Sequence, residues 1–169
     1  MHNLHFIRVV AETGEDACST AETFIEDWGN ENNWRTICGA VSQDNEVFDN
    51  TDTYGGGRYK PSDTGYTSIE KINEVVDNWT KNTFYGQTAK ELIENGKSIT
   101  DFTTHELWSL KEYAKHLYAV KSFQGDDNDK KFDILVDEFR PFDFDECGVT
   151  NYDGDDEGKI WIVFVDMHS

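Results

Sequence analysis

Apolar and polar positions alternate near both ends of the chain, which is the two-residue period of a β-strand. In LHFIRVVAE, residues 4–12, Leu4 and Phe6 alternate with His5 and Ile7, and β-branched residues are frequent. WRTICGAVSQDNEVF and FDILVDEF predict further strands, and the almost continuously apolar KIWIVFVDM is typical of a central strand. We therefore expect the N- and C-terminal thirds of the chain to supply a sheet.

A helical period follows the first strand. After Gly14, apolar residues recur on one side of a helix, and Gly29 stands where that helix would end. The apolar stripe consists of Ala17, Ala21, Phe24, Ile25 and Trp28. The outer face is acidic and carries Glu15, Asp16, Glu22, Glu26 and Asp27.

The middle third is also predicted to be helical. Two capping-box patterns each predict the start of a helix: Thr67 with Glu70, and Thr103 with Glu106. Between these two helices, TAKELIENG predicts a short helix. The apolar residues that follow are Ile69, Ile72, Val75, Val76 and Trp79 in the first helix, and Leu107, Leu110, Ala114 and Leu117 in the last. These patterns predict an α+β fold: a single domain, residues 1–169, with one mainly antiparallel sheet from the N- and C-terminal thirds packed against helices from the middle third.

The chain is strongly acidic, and its charge is unevenly distributed. It contains 34 Asp and Glu against 15 Lys and Arg, a net charge of −19 at pH 7. Residues 1–57 carry −9 and residues 122–169 carry −10, whereas residues 58–121 are neutral. Such a charge works against compaction and repels the phosphates of nucleic acids and anionic membranes. It indicates a cationic protein partner, with no direct contact to nucleic acid or membrane.

The densest acidic segment is FDFDECGVTNYDGDDEG, residues 142–158, which holds seven acidic residues and no Lys or Arg. Alternate residues of a strand lie on one face about 6.6 to 6.8 Å apart, so carboxylates in this pattern form rows that resemble nucleic-acid phosphates. Interleaved aromatic residues such as Phe142 and Phe144 would anchor such an interface. We predict a C-terminal partner-binding cluster of Asp143, Asp145, Glu146, Asp153, Asp155, Asp156 and Glu157. The N-terminal cluster consists of Asp44, Glu46, Asp49 and Asp52.

Catalytic chemistry has little support in the sequence. The five histidines form no HExxH or HxxxH pair, and the motifs GxSxG, GxGxxG and GxxxxGK[ST] do not occur. His116, near the end of the last middle helix, is expected to act as a partner of the helix dipole rather than as a base. We expect a protein that is not an enzyme, with no cofactor and no metal.

Two acidic segments are candidates for a calcium loop. Counting from Asp127 puts Glu138 at the twelfth position, but Phe132 stands where the loop needs glycine, and a strand pattern follows instead of a helix. The loop NYDGDDEG offers four carboxylates around a glycine turn. We interpret it as a solvated hairpin, and a metal site there is an open alternative.

The cysteines and the hydropathy bear on location. Cys18, Cys38 and Cys147 are odd in number and widely spaced, which is typical of reduced thiols in a cytosolic protein. The N-terminus lacks a signal-peptide pattern, and no stretch approaches the roughly 20 apolar residues of a membrane span. We expect a cytoplasmic protein, in the host cytoplasm if a phage encodes it.

In its total charge and the layout of that charge, the chain resembles the acidic DNA-mimic proteins with which phages and mobile elements block restriction and CRISPR nucleases. Its opening, VVAETGEDACSTAETFIEDWG, is also similar to the strand, acidic turn and helix that begin many small phage proteins. The resemblance implies a non-enzymatic inhibitor that occupies the nucleic-acid channel of a basic protein, such as a host defence nuclease or regulator.

Two alternatives come from other functional classes. One is an adaptor or assembly protein whose acidic surface meets a basic protein unconnected with nucleic acid. The other is a small metal-binding protein or enzyme that uses the NYDGDDEG loop. The sequence does not fix the oligomeric state, and a symmetric dimer would double the length of the acidic face.

Overall fold

The computed structural model describes residues 2–28, 34–51, 58–125, 147–152 and 158–168. The strands in this part of the chain are β1 (His2–Ala11), β2 (Trp34–Ser42), β3 (Val47–Asp49), β4 (Cys147–Tyr152) and β5 (Lys159–His168). The helices are α1 (Gly14–Trp28), α2 (Pro61–Thr64), α3 (Ile69–Asn82), α4 (Phe84–Glu94) and α5 (Thr104–Gln124), with a 3-10 turn at Ile99–Asp101.

The five strands form one sheet in the order β3-β2-β5-β1-β4. β5 pairs antiparallel with both β1 and β2, and β2 pairs antiparallel with β3. Only the β1–β4 pair among the described strands is parallel. The mainly antiparallel α+β sheet is confirmed. The apolar segment KIWIVFVDM forms its central strand, and its side chains enter the cores on both faces of the sheet.

Helices cover both faces of the sheet. On one face, Phe6 and Phe164 pack with Ile72 of α3 and Val120 of α5. On the other face, the alternate residues of the same strands pack against α1. The middle third therefore covers one face, as expected, whereas the second face is covered by α1 from the N-terminal third. The strand side chains that share a core cluster with α1 include Ile7, Val9, Ile37, Ala40, Trp161, Val163 and Val165.

Helix α5 is rotated relative to its apolar pattern. An apolar stripe such as that of Leu107 and Leu117 is usually the buried face of a helix, yet these side chains are 43% and 37% exposed. The buried side consists instead of Ser109, His116, Ala119, Val120 and Phe123. The stripe identifies the helix correctly but does not identify its core-facing side.

The caps fix where the middle helices begin. At α5 the predicted capping box is present, because Thr103 Oγ1 accepts from Glu106 N at 3.2 Å and Glu106 Oε2 accepts from Thr103 N at 2.7 Å. Hydrogen bonds that Lys97 Nζ, Thr103 N and Thr103 Oγ1 donate to the carboxylate lower the pKa of Glu106 to about 2. At α3 the cap is Ser68, one residue after the predicted Thr67, and it accepts from Lys71 N. The predicted strand FDILVDEF and the predicted stop at Gly29 lie outside the described residues.

Candidate functional site: the acidic end of the sheet

Segments that are distant in sequence meet at one end of the sheet. The last residue of β1, Ala11, pairs with the first residue of β5, Lys159. The β2–β3 turn joins them, since Gln43 N donates to Ile160 O at 2.8 Å and Ile160 N donates to Gln43 Oε1 at 3.0 Å. The N-terminus of α1 lies beside this turn, because a Cβ added to Gly14 would be 2.5 Å from Phe48 Cβ. We call this region the acidic end, and its described acidic residues are Glu12, Glu15, Asp16, Asp44 and Glu46.

The β2–β3 turn is held by hydrogen bonds to Ser42. Ser42 Oγ accepts from the backbone N–H groups of Asp44 at 3.2 Å and Glu46 at 3.0 Å. Ser42 N donates to Glu46 O at 2.9 Å, and Asn45 adopts a left-handed backbone with φ of 63°. Asparagine accepts this conformation more readily than most residues. The turn therefore presents Asp44 and Glu46 to solvent from an ordered backbone.

The start of α1 has its own cap. Thr13 Oγ1 accepts from Asp16 N at 3.1 Å and donates to Asp16 Oδ2 at 2.6 Å, so Thr13 and Asp16 cap each other. Glu15 and Asp16 also lie in the first turn, where the helix dipole favours negative charge. Asp16 thus stabilises the start of α1 through the cap, whereas the exposed Glu12 and Glu15 lie outside the cap hydrogen bonds.

Lys159 partly neutralises the acidic end. Its ammonium contacts Glu46, lies 3.8 Å from Asp44 Oδ2 and sits over the Trp161 ring at 5.2 Å. Among the described residues 11–16, 42–46 and 158–160, it is the only basic one, against five acidic residues. The side chains of Asp44 and Glu46 are still 63% and 57% exposed, so both carboxylates are open to a partner.

The predicted binding residues fall into three groups. Asp44 and Glu46 lie at the acidic end. Asp49, in β3, accepts a hydrogen bond from Ser62 N at 3.1 Å and contacts Ser62 Oγ, so it caps the short helix α2. The others lie outside the described residues: Asp52, Asp143, Asp145, Glu146, Asp153, Asp155, Asp156 and Glu157.

The described residues that flank 153–157 both belong to the acidic end. Tyr152 ends β4 and pairs with Val9 of β1, two residues before Ala11. On the other side, a Cβ added to Gly158 would be 2.6 Å from the carbonyl carbon of Ala11. The described chain therefore stops before residue 153 and resumes at Gly158 beside the β1–α1 junction.

The sequence pattern did not assign Glu12, Glu15 and Asp16 to the binding surface. The helical period places Glu15 and Asp16 on the outer face of α1, but it does not show where α1 lies relative to the strands. Their position at the same end of the sheet as Asp44 follows from the placement of β5 between β1 and β2. The one available signal was that Glu12 directly follows the first predicted strand and therefore lies at one end of the sheet.

The described residues offer little for catalysis or metal binding. No group of three or more His, Cys, Asp or Glu that could hold a metal occurs among them. Burial raises the pKa of the Cys18 thiol to about 12 and also raises that of Cys38, so neither thiol is activated as a nucleophile. No helix in the described ranges is long and apolar enough to cross a membrane.

His116 does not have the role predicted for it. Burial lowers its pKa to about 4, so the ring is neutral at pH 7. It also lies two turns before the end of α5 at Gln124, whereas the dipole effect is confined to the last turn. The prediction that His116 is a partner of the helix dipole is therefore wrong.

Comparison with protein-family models, with curated proteins and with solved structures finds no match.

Proposed function

We propose that this protein is a non-enzymatic inhibitor whose acidic end mimics nucleic-acid phosphates and occupies the nucleic-acid channel of a basic protein. The observation that supports it most is the convergence of separate acidic segments on one end of the sheet, with Lys159 as the only described base there. Acidic residues spread evenly for solubility would not require this convergence.

The construction of the acidic end suits binding by charge. A channel that binds nucleic acid presents Lys and Arg to phosphates and releases counterions when they are neutralised. Carboxylates held on a hydrogen-bonded turn and on a capped helix start lose little freedom on binding, which lowers the entropic cost of association. The resemblance to anti-defence proteins makes a host defence nuclease or regulator the first partner class to test.

The test is capture of partners on the immobilised protein from bacterial lysate, eluted first with duplex DNA and then with salt. The binding-site variant reverses Glu12, Glu15, Asp44 and Glu46 to Lys. A matched control reverses Asp63, Glu70, Glu74 and Glu91, four exposed acids of the neutral middle third, and so makes the same change in net charge. We expect a nucleic-acid-binding protein that DNA releases, lost with the first variant and kept with the control.

Other outcomes identify the alternatives. A basic partner released by salt but not by duplex DNA or RNA would support an adaptor role and contradict mimicry. A melting temperature that rises on calcium titration would favour a metal site in the NYDGDDEG loop, because a ligand that binds the native state must stabilise it. Equal loss of binding in both four-residue variants would show an effect of total charge rather than a surface at the acidic end.

A further inference from the structure

The exposed apolar side chains are concentrated in the part of the chain that carries no net charge. Seven large apolar residues are exposed in the described part of the chain, and all but Val47 lie between residues 84 and 117. They are Phe84, Ile93, Ile99, Leu107, Trp108 and Leu117. Single exposed apolar residues are common on protein surfaces, whereas apolar residues that share one exposed face mark an interaction surface. The surface of the middle third is therefore a second candidate interface, distinct from the acidic end.

Helix α5 supplies the regular part of this surface. Leu107, Leu110, Ala114 and Leu117 follow one another at intervals of three, four and three residues, which puts them on one side of the helix. Leu110 is half-buried and Ala114 is exposed. Among the described residues, neither core cluster includes any of the four. We call them the α5 stripe.

The α5 stripe is symmetric about Glu112. When two copies of α5 lie antiparallel with their midpoints aligned, Leu107 of one copy is level with the partner's Leu117. In the same register, Leu110 is level with the partner's Ala114. A two-fold dimer requires a surface that is complementary to itself, and this spacing provides one. The small Ala114 opposite a leucine lets the two helices approach closely.

The charge distribution also favours a second copy of this chain as the partner at the α5 stripe. Two copies that each carry −19 repel strongly over most of their surface, but the middle third carries no net charge. Helix α5 itself bears Lys111, Lys115 and Lys121 against Glu106 and Glu112, a net charge of +1. Two copies therefore meet with the least repulsion at α5, and their acidic ends need not come into contact.

From the exposure, the symmetric spacing and the charge, we infer that two copies of this chain form a two-fold dimer in which their α5 stripes pack antiparallel. This inference does not depend on the proposed function, because it concerns a different surface. The dimer would carry two acidic ends.

The size of the α5 stripe implies a weak, salt-sensitive dimer. Residues 107–117 span about 15 Å of helix at 1.5 Å per residue, which is short for an interface of about 800 Å² per partner. Long-range repulsion between the copies is screened when the Debye length falls from about 10 Å at 0.1 M salt to about 3 Å at 1 M. Dimerisation should therefore strengthen with salt, whereas binding at the acidic end should weaken.

The first test is sedimentation velocity of the full chain over a range of protein concentrations, at low and at high salt. We expect a monomer–dimer equilibrium that shifts toward dimer at high salt. The variant Leu107→Asp with Leu117→Asp should weaken the dimer at least tenfold. Val47→Asp is the control, because Val47 is 40% exposed, as the two leucines are, but lies in β3. Circular dichroism checks that each variant is folded.

The second test fixes the register. Proteins carrying Leu107→Cys and Leu117→Cys, each in a Cys147→Ser background, are oxidised separately and as a mixture. Antiparallel packing predicts a disulfide-linked dimer in the mixture and little in either protein alone, because residues 107 of the two copies lie about ten residues apart along the helix. Cross-linking of Leu107→Cys alone would indicate a parallel dimer and would overturn the antiparallel arrangement.

Two results would overturn the dimer as a whole. A monomer at every concentration and at high salt would mean that the α5 stripe is covered within the same chain or by a different protein. A dimer that persists with Leu107→Asp and Leu117→Asp but is lost with Val47→Asp would place the interface elsewhere.

Discussion

At the acidic end, exposed carboxylates are supported by hydrogen bonds to the backbone, whereas on the outer face of α5 apolar side chains remain exposed although a helix normally buries them. Ser42 and Thr13 hold the backbone around Asp44 and Asp16 at the acidic end. On α5, the buried side carries Ser109 and His116, and the exposed side carries Leu107 and Leu117. Both regions therefore contain surface features that the stability of the monomer does not account for.

The two regions should respond to salt in opposite directions. Binding at the acidic end depends on attraction between unlike charges, so salt should weaken it. Association through α5 is driven by apolar burial and opposed by the repulsion between two acidic chains, so salt should strengthen it. Salt dependence thus distinguishes the two surfaces without knowledge of a partner.

The largest expected effect is a loss of stability when the core beneath α5 is truncated, and an exposed phenylalanine of α4 provides the comparison. Phe6 is fully buried, and its ring lies 5.0 Å from Phe164 and 5.6 Å from Trp79. Phe6→Ala should lower the free energy of unfolding by about 3 to 5 kcal/mol. Phe84→Ala, at a position that is 65% exposed, should change it by less than about 0.5 kcal/mol. Urea denaturation measures both, and a large loss with Phe84→Ala would mean that this surface belongs to the monomer core.

The next prediction concerns the pH dependence of stability, which the buried His116 of α5 should change. The folded-state pKa of His116, about 4, lies below the unfolded value of about 6.5. Between these values the unfolded chain binds the extra proton, so stability is full above pH 6.5 and falls as the pH drops toward 4. His116→Gln should remove roughly 1 to 2 kcal/mol of the stability difference between pH 7 and pH 5. Equal pH profiles for the two proteins would show that His116 does not titrate in this range.

A third change disturbs the acidic end through packing. A Cβ at Gly14 would lie 2.5 Å from Phe48 Cβ and 3.1 Å from Trp161 Cζ3. Gly14→Ala should therefore destabilise the fold by about 1 to 3 kcal/mol, because these atoms belong to β3 and β5 and move little. Ser19→Ala, on the exposed side of α1, is the control and should be nearly neutral. Thermal unfolding of the two variants makes the comparison, and a neutral Gly14→Ala would mean that α1 can shift away from β3.

The smallest stability effect concerns the lysine at the acidic end. Lys159→Gln removes the contacts to Asp44 and Glu46, and the fold should lose less than about 1 kcal/mol because both carboxylates are more than half exposed. Binding to a basic partner should become tighter, since two carboxylates lose their internal counter-charge. Weaker binding would instead show that Lys159 holds the turn in its binding shape, and titration calorimetry with the captured partner distinguishes the two.

Local pattern predicted most elements of the described fold. The alternation in LHFIRVVAE, the apolar run of β5 and the capping box at Thr103 each identify their element, because the interactions involved lie within a few residues. The rotation of α5 could not be predicted. Its hydrophobic period marks one side, and the side that faces the sheet depends on how α3 and α4 pack around the helix.

The acidic end could be predicted only in part. Asp44 and Glu46 were identified by charge density, but the contribution of Glu12 and Glu15 depends on strand order, which arises from long-range pairing. Lys159 was missed as a counter-charge for the same reason, since it is 113 residues from Glu46 in sequence. Charge along the chain shows where acids are abundant, and pairing in the sheet decides which of them lie together.

Mimicry of nucleic-acid phosphates by the acidic end is tested most directly by capture from bacterial lysate. The salt and DNA dependence of that capture is measured in parallel on three proteins. These are the unmodified chain, the variant with Glu12, Glu15, Asp44 and Glu46 changed to Lys, and the variant with Leu107 and Leu117 changed to Asp. We expect a basic nucleic-acid-binding partner that duplex DNA displaces, that the first variant does not bind and that the second variant still binds. A partner that DNA does not displace, or that the first variant still binds, would contradict it.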